Sequence, residues 1–215
     1  FASLLVSSLA VTACQDMDTL PNGGNRDRLS EGDRSTLNPE RGGQGNAIFS
    51  TFNQAFPNQV IGAERHNDIG YPTVMLCLDS NTEDVVSDNN GYNWTGYDLT
   101  FEDRENTSLE GQMVWNDLYS IVFAANNVVG SIDVKKEDAN EQFYRAGLAA
   151  RAFSYWVMAQ LYQFNYKGNE DKPCVPLITE KNSADASVNG CKRSSVKDVY
   201  TQIESDLTNA IGFVD

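Results

Sequence analysis

The stretch from Gln112 to Tyr166 constrains this chain most, because it holds two helix-length apolar patterns with only a short polar break between them. In the first, Trp115, Leu118, Tyr119 and Val122 recur at the spacing of one helix face. The second runs from about Asn140 to Phe164. It sets Phe143, Leu148, Ala150, Phe153, Trp156, Val157, Leu161 and Tyr162 among the small residues Ala146, Gly147, Ala149 and Ala152. Small residues opposite large aromatics let two helices approach closely and interlock. The break, Ser131-Ile-Asp-Val-Lys-Lys-Glu-Asp, is short enough to make the helices antiparallel neighbours. Such an αα-hairpin is a repeat unit of the tetratricopeptide kind. The expected fold is mainly α, with tetratricopeptide-like helical hairpins carrying long irregular loops.

Three further patterns flank the hairpin. Ile48, Phe49, Phe52 and Phe56 sit at helical spacing until Pro57 stops them. Tyr71-Pro-Thr-Val-Met-Leu-Cys-Leu-Asp is apolar with poor periodicity, so helix and buried strand both stay open, although Pro72 suits a first helical turn. Ser194 or Ser195 caps a stripe of Val196, Val199, Tyr200, Ile203, Leu207, Ala210 and Ile211. Between these helices, Cys174-Val and Leu177-Ile-Thr read as short extended chain, and 183–193 is polar. The last helix has no successor to pack on, so the chain reads as a piece cut at both ends.

Charge removes several functions. Lys and Arg number 16 and Asp and Glu 30, a formal net charge of −14. Nucleic-acid backbones and anionic lipid surfaces both require basic patches. A neutral polar ligand such as a glycan suits this balance better than an anion does. No enzyme is expected: His66 is the only histidine, and no Gly-x-Ser-x-Gly elbow accompanies it. Gly42-Gly-Gln-Gly lacks the Lys-Ser/Thr of a phosphate loop. No cofactor or metal is expected either. Asp79-Ser-Asn-Thr-Glu-Asp offers alternating oxygens but lacks the central Gly and distal Glu of a calcium loop, and reads as a solvated helix end and turn.

The N-terminus carries an export signal. Residues 1–13 are apolar and uncharged, too short to span a bilayer, and match the core of a signal peptide without its basic start. Val11-Thr-Ala-Cys14 resembles a lipobox, which makes Cys14 the lipid attachment site and residues 14–45 a lipid-anchored tether and lead-in. Residues 46–215 form the helical domain. In an exported protein, Cys174 and Cys191 are either a disulfide or two free thiols, and Cys77 reads as a small buried residue.

The loop from Asp88 to Glu110 places Tyr92, Trp94, Tyr97 and Phe101 among Asn, Thr and Gly. So much aromatic area on a loop either covers the following hairpin or binds something. Sugar recognition uses such groups: a ring stacks on the C–H face of a pyranose, and amides bond its hydroxyls.

Trp115-Asn-Asp-Leu-Tyr-Ser-Ile-Val-Phe-Ala-Ala-Asn, Arg145-Ala-Gly-Leu-Ala-Ala-Arg-Ala-Phe-Ser-Tyr-Trp, Gln160-Leu-Tyr-Gln-Phe-Asn-Tyr and Val175-Pro-Leu-Ile-Thr-Glu occur in that order. Together they resemble the SusD/RagB family of nutrient-binding surface lipoproteins, over the N-terminal part of a typical member. The resemblance implies a helical 71–79 segment and a C-terminally truncated SusD-like domain. It implies anchorage by lipid at the outer membrane, exposed at the cell surface, and Gln15-Asp-Met-Asp resembles the family's surface-export tether. It implies capture of a polysaccharide or oligosaccharide for a SusC-like TonB-dependent transporter, with Asn93, Trp94 and Tyr97 as ligand contacts. A peptide ligand, as in the RagB branch, and a pure scaffold for protein partners are the alternatives.

Overall fold

The computed structural model describes residues 48–53, 70–85, 105, 107–135 and 141–212. Among these the chain is mainly helical. Helix α1 (Gly70–Ser80) precedes the hairpin of α2 (Leu109–Ser131) and α3 (Glu141–Leu161). Strand β1 (Pro173–Pro176), a short helix α4 (Ser183–Asn189) and strand β2 (Arg193–Ser195) lead into α5 (Val196–Ile211).

The small residues of the second pattern set the helix spacing. A Cβ added at Gly147 in α3 would lie 2.9 Å from Val129 Cγ2 and 3.4 Å from the Ala125 carbonyl, both near the end of α2. At the other end of the pair, the Tyr162 hydroxyl donates to the Gly111 carbonyl over 2.8 Å. The start of α3 thus meets the end of α2, and the hairpin is antiparallel as expected. Helix α5 then packs on α3, and Val129, Leu148 and Ala210 meet in a small cluster at one end. The main core lies between α2, α3, β1 and the start of α5, around Leu118, Ile121, Tyr155, Met158, Val175 and Val199.

Local signals explain the remaining boundaries. The Ser195 hydroxyl accepts the Asp198 amide over 3.0 Å, a side-chain N-cap on α5. The 70–80 segment is helical, as the resemblance implied. It starts at Gly70, whose φ of 58° only glycine adopts without strain. The Tyr71 amide then reaches the Phe52 carbonyl at 2.8 Å. Asp79 and the buried Ser80 close α1, and residues 81–84 form a mostly exposed turn, in which the Thr82 hydroxyl accepts the Asp84 amide.

Three details differ from the expectation. Helix α3 ends at Leu161 and not at Phe164. Trp156 is half exposed on the outer side of α3. The polar 183–193 segment contains α4, which buries none of its residues and so has no apolar period to read. Asn182 fixes its entry: its side-chain oxygen accepts the Thr179 amide at 2.7 Å and its nitrogen donates to the Leu177 carbonyl at 3.0 Å. Among the described residues no helix is long and apolar enough to cross a membrane.

Candidate functional site

Four side chains from the hairpin fasten the segment after β1. The Tyr119 hydroxyl donates to the Pro176 carbonyl at 2.7 Å. Tyr155, fully buried, accepts the Ile178 amide at 2.7 Å and donates to the Ile178 carbonyl at 2.8 Å. Asn126 donates to that same carbonyl at 2.9 Å. Arg151 reaches Glu180 at 2.5 Å. Burial pushes both tyrosine hydroxyls far above their ordinary range, so they serve as neutral donors.

Arg151 is the centre of this arrangement. Its Nε and one terminal nitrogen grip both oxygens of Asp206 at 2.7 Å each, and the other terminal nitrogen reaches Asn126 at 2.8 Å. Burial opposes its charge, but the hydrogen bonds and charges of Asp206 and then Glu180 more than offset that and raise its pKa. The residue ties α2, α3, α5 and the 176–180 segment into one body. Its partners are all engaged internally, which makes this a scaffold and leaves nothing to offer a ligand.

The end of the hairpin where α2 starts and α3 stops is different. Trp115 packs on Tyr119 at 4.8 Å between ring centres and meets Tyr162 edge-on at 5.0 Å. The Tyr162 carbonyl lies against Arg193, which also holds the Pro173 carbonyl at 3.0 Å. Just beyond, Phe164 is 78% exposed and Tyr166 40%, the latter edge-on to Tyr200 at 5.2 Å. The chemistry here is that of aromatic surface on a rigid base. A second aromatic group, Phe52, Tyr71 and Phe153, meets where α3 faces α1, and the half-exposed Trp156 borders it through Phe153.

Asn93, Trp94 and Tyr97, and the lipid site Cys14, lie outside the described residues. Cys174 and Cys191, for which a disulfide and two free thiols both stayed open, are unbridged in this structure. Cys174 is buried in β1, whereas Cys191 is exposed before β2 with its sulfur toward the Leu177 carbonyl. The β1–β2 register pairs Pro173 with Ser195 and Pro176 with Arg193, so Cys191 lies past the end of the strand opposite Cys174. No group of three metal-ligating side chains occurs among the described residues. Sequence reasoning missed Arg151, Asp206 and Phe164. The first two sit in the core phase of their helices, where a charge is itself the signal.

The comparisons agree with this architecture. A family model described as starch-binding and associating with the outer membrane matches residues 56–215. A SusD-like carbohydrate binding protein from Bacteroides vulgatus has a similar fold, with a TM-score of 0.64 at 20% identity. The similarity covers 86% of this chain and 36% of that protein, so the chain spans about a third of its length. No curated protein matches the chain.

Proposed function

Since the chain belongs to the SusD-like family, matched over residues 56–215, we propose that it is part of a carbohydrate-binding lipoprotein of the outer membrane. It captures a glycan at the cell surface and passes it to a SusC-like TonB-dependent transporter. The observation that carries this reading is the family match over most of the helical domain. Acidity, with a net charge of −14, favours a neutral ligand. The mechanism is capture and handover, and no bond is broken.

In this reading Trp94 and Tyr97 stack on sugar rings and Asn93 bonds their hydroxyls. Calorimetry on the full mature protein with the polysaccharide it binds tests the assignment. Trp94→Ala or Tyr97→Ala should each weaken binding about tenfold or more, since aromatic anchors carry much of such interfaces. Unchanged affinity in both variants would remove the loop from the site. Binding to peptides with silence on every glycan would point to the RagB-like alternative.

Membrane attachment through Cys14 follows the same reading. Cys14→Ser in the precursor should move the protein from the membrane fraction to the soluble fraction and abolish radiolabelling by a fatty acid. Continued labelling of the variant would place the lipid elsewhere.

A further inference from the structure

We propose that α1 is a proton-locked flap. It stays down on the hairpin while the Asp117 carboxyl beneath it is protonated, and it opens more often, ahead of the rest of the fold, once that carboxyl ionises. The device is independent of which ligand the protein binds.

Two seams of the fold are built differently. Between α2, α3 and α5 the enclosed polar side chains are paired: Arg151 grips Asp206 and reaches Asn126 and Glu180, and Tyr155 holds both polar groups of Ile178. Between α1 and the hairpin, pairing fails. Asp117, on the buried side of α2, is 1% exposed, and neither of its oxygens has a hydrogen-bond partner among the described residues. The hydroxyl of Ser80, which closes α1, is likewise buried without one. An enclosed carboxyl without partners tolerates its neutral form far better than its charged form.

Helix α1 is also held from one side. Thr73 and Val74 are buried, whereas Met75 and Leu76 are half exposed. Its first turn is pinned by the Tyr71 amide on the Phe52 carbonyl and by the Tyr71 ring, edge-on to Phe52 and Phe153. Its last turn ends in the unpaired Ser80. A short element with one buried side has little local stability, so one buried charge beneath it weighs heavily.

Among the described residues no countercharge faces Asp117. Residues 48–53 carry no charged side chain. On α1, Tyr71 has its pKa raised by burial and then by the Asp117 charge, and Asp79, of the same sign, lies at the other end of the helix. On α2, Tyr119 is committed to the Pro176 carbonyl. On α3, Tyr155 is committed to Ile178, and Arg151 to Asp206, Glu180 and Asn126.

Amide hydrogen exchange of the full mature protein, followed by mass spectrometry from pH 4 to pH 8 and corrected for the intrinsic rate, tests this. Opening puts Asp117 in water, where it titrates near 3.8, whereas the closed form holds its proton to about 7. Protection of residues 70–80 should be greatest near pH 4, fall by up to about tenfold per pH unit until about 7, and then level off, a loss of roughly a thousandfold. At each pH these amides should exchange before those of α3 and α5. Asp117→Asn should flatten the profile of 70–80, and the wild-type profile is a test without it. Exchange of 70–80 in step with α3 at every pH would mean that Asp117 titrates only in global unfolding, and overturns the flap. Early exchange with a flat wild-type profile overturns it as well, because that opening leaves Asp117 enclosed. A slope that persists in Asp117→Asn assigns the titration to another group and overturns the lock.

Discussion

Replacing Arg151 by Met should lower the unfolding free energy by about 3–5 kcal/mol, a fall of roughly 6–20 °C in melting temperature for a domain of this size. The substitution keeps an unbranched apolar stem and removes the charge and all its donors. Among the described residues Asp206, 1% exposed, then retains the Gln202 side-chain amide at 2.9 Å. Glu180 loses its ion pair and Asn126 a hydrogen bond. A buried carboxylate left without its cation accounts for most of the loss, because its solvation is not replaced. Arg151→Lys keeps the charge yet cannot grip both oxygens of Asp206 while reaching Asn126 and Glu180, so it should fall between wild type and Met. The double variant Arg151→Met with Asp206→Leu should recover much of the loss, since an apolar pair of similar volume replaces the ion pair at little cost. Urea denaturation of the three variants measures this. A loss below about 1 kcal/mol for Arg151→Met would show that water reaches the cluster and that the pair behaves as a surface one.

This cluster shows what the sequence displays and what it hides. The hairpin was legible because its period is strong: Leu118 and Val122 are buried, and Trp115 and Tyr119 border them, at the spacing read from the letters alone. The α5 stripe was legible for the same reason, although its outer members Leu207 and Ile211 are exposed. Arg151 and Asp206 were visible as charges in the core phase. Arg151 follows Leu148 by three and precedes Tyr155 by four, while Asp206 lies between Ile203 and Ala210. What periodicity cannot supply is the partner, because the two residues are 55 positions apart and meet only once α5 has folded back on α3. The site is harder still. Asn93, Trp94 and Tyr97 follow no period, so residue type and family resemblance alone single them out. Phe164 looked like the tail of a helix, and its exposure follows from α3 stopping at Leu161.

The third charge in the core phase has no hydrogen-bond partner among the described residues, and it should govern how stability depends on pH. Asp117 lies three residues after Val114 and four before Ile121 on the buried side of α2, is 1% exposed, and has both carboxyl oxygens without a hydrogen bond among the described residues. Burial pushes its pKa from 3.8 up to about 7. Its charge, after burial itself, also contributes to raising the pKa of Tyr71 at the start of α1, which places the carboxyl at the α1–α2 contact. The folded state therefore holds the proton more tightly than the unfolded chain does. Its stabilising contribution is complete below pH 3.8, where both states are protonated, and is lost as pH rises through about 7. At alkaline pH the ionised group costs about 4 kcal/mol relative to its acid form. Asp117→Asn keeps the shape and removes the ionisation. It should match the wild type near pH 4 and become progressively more stable above it, approaching that same margin above pH 8. Urea denaturation of both proteins across this range reads the difference directly. A constant difference between them at every pH would mean that Asp117 is ionised in the fold throughout, held by a cation or water that reaches the α1–α2 contact.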